Sequence, residues 1–135
     1  MAIEIDTDPA RLDIPLIHEF LSTKAYWAVG RPLDHVQRAI ANSLNFGAYQ
    51  DGRQVGFTRV VTDRATFAWV CDVFVLESHR GQGISKRLME SVMAHPELQG
   101  LRRILLATRD AHELYRRYGF RELSHPDRWM AVENL

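Results

Sequence analysis

Leu12, Leu16, Ile17, Phe20 and Leu21 recur at the spacing of one helical face. Asp8-Pro9 ahead of them marks the expected helix start, because aspartate caps free backbone amides and proline suits a first turn. The aromatic stretch Tyr26-Trp27-Ala28-Val29-Gly30-Arg31-Pro32 breaks the pattern as a loop, and a second helix is predicted from Leu33 through Val36, Ala39 and Ile40 to Leu44.

Past that point the pattern changes to strands. Phe46 to Gln50 and Gln54 to Val61 flank the turn-forming pair Asp51-Gly52 and predict an antiparallel hairpin. Thr66 to Leu76 is nearly continuous in aromatic and β-branched residues, as for a central strand covered on both faces. Ile84 to Met93 returns to helical spacing and ends near Pro96. Arg103 to Thr108 predicts a short buried strand, and Asp110 to Tyr118 a helix closed by Gly119. Phe120 to Leu123 and Trp129 to Val132 are expected as two last strands.

Strands and helices mix throughout, without repeat or linker, so the expectation is one α/β domain over residues 1–135 with a mixed central sheet flanked by helices. Composition narrows its partners. Seventeen basic and seventeen acidic residues cancel, which leaves no overall field for nucleic acid or an anionic membrane. The acidic N-terminus is unlike a signal peptide, and no apolar run reaches membrane-spanning length. With Cys71 as its single cysteine, the chain is expected in the cytoplasm. The six histidines show no pair at metal-ligand spacing, and no metal is expected.

The chemistry concentrates where the long strand meets the next helix, at Arg80-Gly81-Gln82-Gly83-Ile84-Ser85. A helix N-terminus offers bare amides and a favourable dipole to anions, glycines let a phosphate approach closely, and Arg80 and Lys86 add positive charge. The run is neither a full G-x-G-x-x-G, since Lys86 stands at its third glycine, nor a Walker A loop. Taken alone it fits a plain strand-to-helix turn as well as a phosphate cradle.

With its downstream partner, the run resembles the GCN5-related N-acetyltransferase (GNAT) superfamily. Arg80-x-x-Gly83-x-Ser85 stands where that family has an Arg or Gln, two residues, Gly, one residue, then Gly or Ala. Ala111-His-Glu-Leu-Tyr115-Arg-Arg-Tyr-Gly119-Phe120 is similar to its Ala-x-x-Leu-Tyr-x-x-x-Gly-Phe segment. Ser85 departs from the pattern but is small, and Thr108 replaces an asparagine that often contacts the pantetheine arm.

The resemblance implies acetyl-CoA as co-substrate, with its pyrophosphate at Arg80 to Ser85 and its pantetheine against the backbone of Phe74 and Val75 where a strand pair splays. It implies transfer of acetyl to a primary amine of a small molecule or peptide by direct attack in a ternary complex, and C-terminal strands able to pair in a homodimer. A non-catalytic acyl-CoA-binding sensor or scaffold stays open beside it. Tyr115 matches the residue that often protonates the departing sulfur, and a phenol of pKa ~10 suits that exchange. Asp72 is the candidate base. Strand alternation sends it and Cys71 to opposite faces, so only one can face the acceptor. No histidine pairs with Cys71 to make it a nucleophile. His79, at the loop mouth, is a secondary candidate. Trp27, Arg31 and Trp69 are expected to shape the acceptor site, with Arg31 able to attract a carboxylate.

Overall fold

The first helical repeat forms a helix, but it begins later than its proline motif predicts. In the computed structural model, which describes residues 2–134, Asp8 accepts a hydrogen bond from the Ala10 amide at 2.9 Å and closes only a 3-10 turn, Pro9–Arg11. Leu12 then runs extended, and Asp13 accepts from the Leu16 amide at 3.1 Å to start α1, Ile14–Thr23. Two aspartates thus cap two successive turns, each with a proline at its start. α2, Leu33–Ala41, stops before Leu44, which opens a strand instead.

Five strands form one sheet in sequential order: β1 Ile3–Asp6, β2 Leu44–Gln50, β3 Arg53–Thr62, β4 Phe67–Val75 and β5 Arg103–Leu106. The first four pair antiparallel, while β5 lies parallel to β4. The β2–β3 hairpin turns at Asp51 (φ 52°) and Gly52 (φ 78°), the double left-handed conformation of a tight turn matched to strand twist. β1 went unpredicted, since four alternating residues with no turn signal are a weak pattern. α3, Ile84–Ala94, carries the chain from β4 back to β5, and α4 is a short helix, His112–Arg116.

α1 and α2 cover one face of the sheet around Phe57 and Phe74, and α3 covers the other around Phe46, Ala48, Val60 and Val70. Their burial drives the fold, at about 25 cal/mol per Å² of apolar surface removed from water. Gly56 brings α3 close. A Cβ there would meet Ala48 Cβ, Ile84 Cγ2 and Leu88 Cδ1, each at 3.3 Å.

β4 departs from the expectation of a strand covered on both faces. Trp69 is exposed, and the strand is bulged. Thr58 pairs with Val73 and Val60 with Val70, so Arg59 alone faces two residues, Cys71 and Asp72. The extra residue exchanges the faces. Ala68 and Val70 pack toward α3 before the bulge, and Val73 and Val75 do so after it. Phe74 is thereby sent to the α1 side.

The two C-terminal strands do not form. Beyond Gly119 the described chain holds only a 3-10 turn, Pro126–Arg128. Arg121 and Glu122 are drawn back onto Arg116, one through its backbone carbonyl and one through an ion pair, while Met130 and Val132 project into solvent. The C-terminal strand pairing expected for a homodimer has no strands to use here. No helix among the described residues is long and apolar enough to cross a membrane.

Candidate active site

β4 and β5 pair only over Phe67–Val70 and Arg103–Leu106, and β4 then continues alone. This opens the edge of Cys71–Val75. The Leu76 amide donates to Val55 O at 2.9 Å, so in the antiparallel alternation Phe74 shares its hydrogen-bonding side with β3, while Val73 and Val75 turn their peptide groups to the open edge. Val73, Phe74 and Val75 all line the groove beside this edge. Of the expected backbone pair, Val75 presents its peptide group to the open edge, as Val73 does, while the Phe74 ring stacks on Phe20 at 4.1 Å between centroids.

A groove of about 590 Å³ follows this edge from the glycine loop to Tyr115. After a 3-10 turn, Glu77–His79, the chain passes Gly81 (φ 80°) and Gly83 (φ 76°) into α3. Both glycines adopt the left-handed region that side chains resist, and a Cβ on either would meet no protein atom within 4 Å. No side chain among the described residues caps α3, whose first amides are left for another acceptor. Arg80, Ile84 and Ser85 line the groove with them, and Arg80 Nε donates to Val75 O at 3.4 Å. Gln82 lies in the loop but not in the groove lining. The His79 ring is within hydrogen-bond distance of Gln50 Oε1, at 2.9 Å, and of Ser78 Oγ, at 2.8 Å, and so is tied into the turn.

A second cavity of about 510 Å³ adjoins the groove, and the two share Tyr26, Trp27, Val73 and Tyr115. Arg31 and Trp69 line it. Cys71 and Asp72 both line it too, contrary to the expectation of opposite faces, because the bulge suspends alternation at these two residues. Asp72 is almost fully buried. Its Oδ1 accepts from Trp27 Nε1 at 2.7 Å, and its Oδ2 from Arg59 Nε at 2.8 Å and Arg31 Nη1 at 3.0 Å. Burial alone would raise its pKa, but the charges and hydrogen bonds of Arg59 and Arg31, with Trp27, hold it below the ordinary carboxylate value.

Burial pushes the Cys71 thiol up, with Arg59 opposing in part, so it stays protonated near neutrality. The Tyr115 hydroxyl, raised by burial and by the nearby Tyr26 and Tyr118, has no hydrogen-bond partner among the described residues. Its ring stands edge-on to Phe120 at 6.0 Å. Thr108 lies in the second cavity rather than the groove, and its Oγ1 accepts from the Ala111 amide at 3.1 Å just before α4.

Sequence reasoning missed Arg59, Tyr26 and Val73. Arg59 had a signal, being a charged residue inside the apolar run Val55 to Val61 with an acid in the next strand. Tyr26 carries no signal in the sequence beyond its place in the aromatic loop. Its hydroxyl accepts from the Arg109 amide at 3.2 Å, with the Arg109 guanidinium 4.0 Å from its ring centre, and this closes the α1–α2 loop over both cavities. Among the described residues, no cluster of His, Cys, Asp or Glu could hold a metal ion.

Comparison with known proteins agrees with this architecture. The family described as acetyltransferase (GNAT) domain matches residues 41–122. FG08082 of Gibberella zeae, which carries the name of an acetyltransferase, is 31% identical over 133 residues, covering 82% of this chain and 74% of its own. A crystal structure from Xanthomonas campestris pv. campestris, assigned to the GNAT family, is 55% identical with a TM-score of 0.98 over 99% of this chain and 94% of that one. The GNAT family protein SP0256 of Streptococcus pneumoniae is 25% identical with a TM-score of 0.70, covering 99% and 97%. With its family match extending from α2 past α4, this chain belongs to the GNAT acetyltransferases.

Proposed function

We propose that residues 1–135 act as one cytoplasmic catalytic domain that transfers acetyl from acetyl-CoA to a primary amine by direct attack in a ternary complex. One observation carries this reading: the groove and the second cavity meet at Val73 and Tyr115, so two substrates entering from opposite sides face each other there. The lone, unpaired Cys71 suits a reducing compartment.

Acetyl-CoA supplies the acyl group as a thioester. The uncapped amides of α3, with Gly81, Gly83 and Arg80, fit its pyrophosphate, and the outward peptide groups of Val73 and Val75 fit its pantetheine arm. Tyr115 is the acid. As the nitrogen–carbon bond forms and the carbon–sulfur bond breaks, its hydroxyl gives a proton to sulfur and recovers one released by the nitrogen through solvent. The products are an amide and a free thiol. Asp72 acts as a positioning residue rather than as the base, because a carboxylate held ionised by two guanidiniums is a poor proton acceptor.

Calorimetry with CoA, joined to thiol release from acetyl-CoA over a panel of primary amines, tests the assignment. Micromolar CoA binding and amine-dependent thiol release are expected. CoA binding with no transfer to any amine would favour the sensor module, and no CoA binding would overturn both.

A further inference from the structure

The second cavity carries an electrical asymmetry. Its charged lining residues among the described residues are Arg31, Arg59 and Asp72, two positive and one negative. Both Asp72 oxygens are occupied, by Trp27 on one side and by the two arginines on the other. Arg59 spends Nε on Asp72 and Nη1 on Ser43 Oγ at 3.1 Å, and Arg31 spends only Nη1. Arg59 Nη2 and Arg31 Nε and Nη2 donate to nothing among the described residues. The two side chains are 14% and 23% exposed, so water solvates these donors poorly. A partly desolvated guanidinium without its full complement of acceptors favours an anion, and its planar fork matches a carboxylate. The walls add a second feature. Trp27 and Trp69, 42% and 48% exposed, leave large aromatic surface turned to the solvent side.

We propose that the acyl acceptor is a small amine that bears a carboxylate, held by the free donors of Arg31 and Arg59 with its body between Trp27 and Trp69 and its nitrogen toward Tyr115. This rests on the acyl-transfer reading and adds the substrate class to it. The same positive balance repels polyamines and lysine-rich peptides, whose additional ammonium groups would face two guanidiniums.

Three acceptors of one shape separate the cases: 4-(aminomethyl)benzoate, its primary amide, and the corresponding diamine. Calorimetry measures binding of each to the protein–CoA complex, and thiol release measures turnover. The carboxylate is expected to bind at least tenfold more tightly than the amide and a hundredfold more tightly than the diamine. Arg31→Gln should reduce the carboxylate-to-amide ratio below threefold by weakening the carboxylate alone, with CoA affinity within twofold. Arg31→Lys should restore it in part. Arg59→Gln should act alike, thermal melting confirming that it is folded. Equal binding of carboxylate and amide, or an Arg31→Gln loss that falls equally on all three ligands, overturns the proposal. Selective carboxylate binding without turnover upholds the anion site and overturns the acyl-transfer reading instead.

Discussion

The groove and the adjoining cavity are built from different materials. The groove offers main-chain groups along its length: peptide groups of Val73 and Val75 on an open strand edge, amides of α3 that no side chain among the described residues caps, and two glycines in left-handed conformations. The cavity is made of side chains drawn from β3, β4 and the α1–α2 loop, converging on Asp72. A site of main chain is general to any sequence that folds this way and keeps its glycines, so it fits a constant cofactor. A site of converging side chains can be rewritten residue by residue, so it fits a variable acceptor.

Tyr115, where the two meet, should give the largest effect. Tyr115→Phe is expected to lower kcat about 100-fold or more while leaving CoA affinity and melting temperature nearly unchanged, because its hydroxyl has no protein partner to lose. With the phenol pushed above its ordinary value of ~10, kcat/KM should rise with pH as the amine deprotonates and show no falling limb below pH ~10. A falling limb near pH 8 would exclude this acid.

Asp72 should separate the cavity from the groove. Asp72→Ala strands two mostly buried guanidiniums and should cost about 3 kcal/mol in urea denaturation, the low end for a broken buried pair because Arg31 and Arg59 are not fully buried. Since its folded pKa lies below the ordinary carboxylate value, the ion pairs contribute fully above pH ~4 and are lost as pH falls through that lowered value. Asp72→Asn should remove this part of the acid dependence.

On the groove side, Gly83→Val forces a β-branched residue to φ 76° and should weaken CoA about 10- to 100-fold by calorimetry. Unchanged affinity would remove the loop from the cofactor site. Gly56→Ala is the mildest test. Three contacts at 3.3 Å make α3 shift slightly, at about 1 kcal/mol of stability, and CoA affinity should fall only a few-fold.

The same contrast decides what could be read in advance. The glycine turn, its place after a buried strand, the Asp51-Gly52 hairpin and Tyr115 were legible, because turns and helix starts are local and carry their residue requirements in order along the chain. Arg59 stands out as a charge in an apolar run, but its pairing with Asp72 was not legible, since nothing local pairs residues on adjacent strands. That Val73 rather than Phe74 shares the outward direction of Val75 follows from strand alternation, whereas the shared face of Cys71 and Asp72 traces to the bulge, which periodicity cannot register. The missing C-terminal strands were an error of another kind. Neither segment alternates, a strand needs a neighbour, and Arg116 holds Arg121 and Glu122.

The bulge makes β4 behave like a coding frame. A substitution in Cys71–Val75 is read where it falls, but a residue inserted between Val73 and Phe74 would turn every position after it to the other face, whereas deleting one bulge residue would close the bulge and leave Val73–Val75 in register with β3. After such an insertion Phe74 would leave its stack on Phe20, and the peptide groups that face the groove would turn to β3. Length within this short stretch is therefore held more strictly than identity. Engineered diversity of acceptor can come from exchanging side chains at Arg31, Arg59, Trp69 and Cys71, and not from lengthening or shortening the strand that carries the last two.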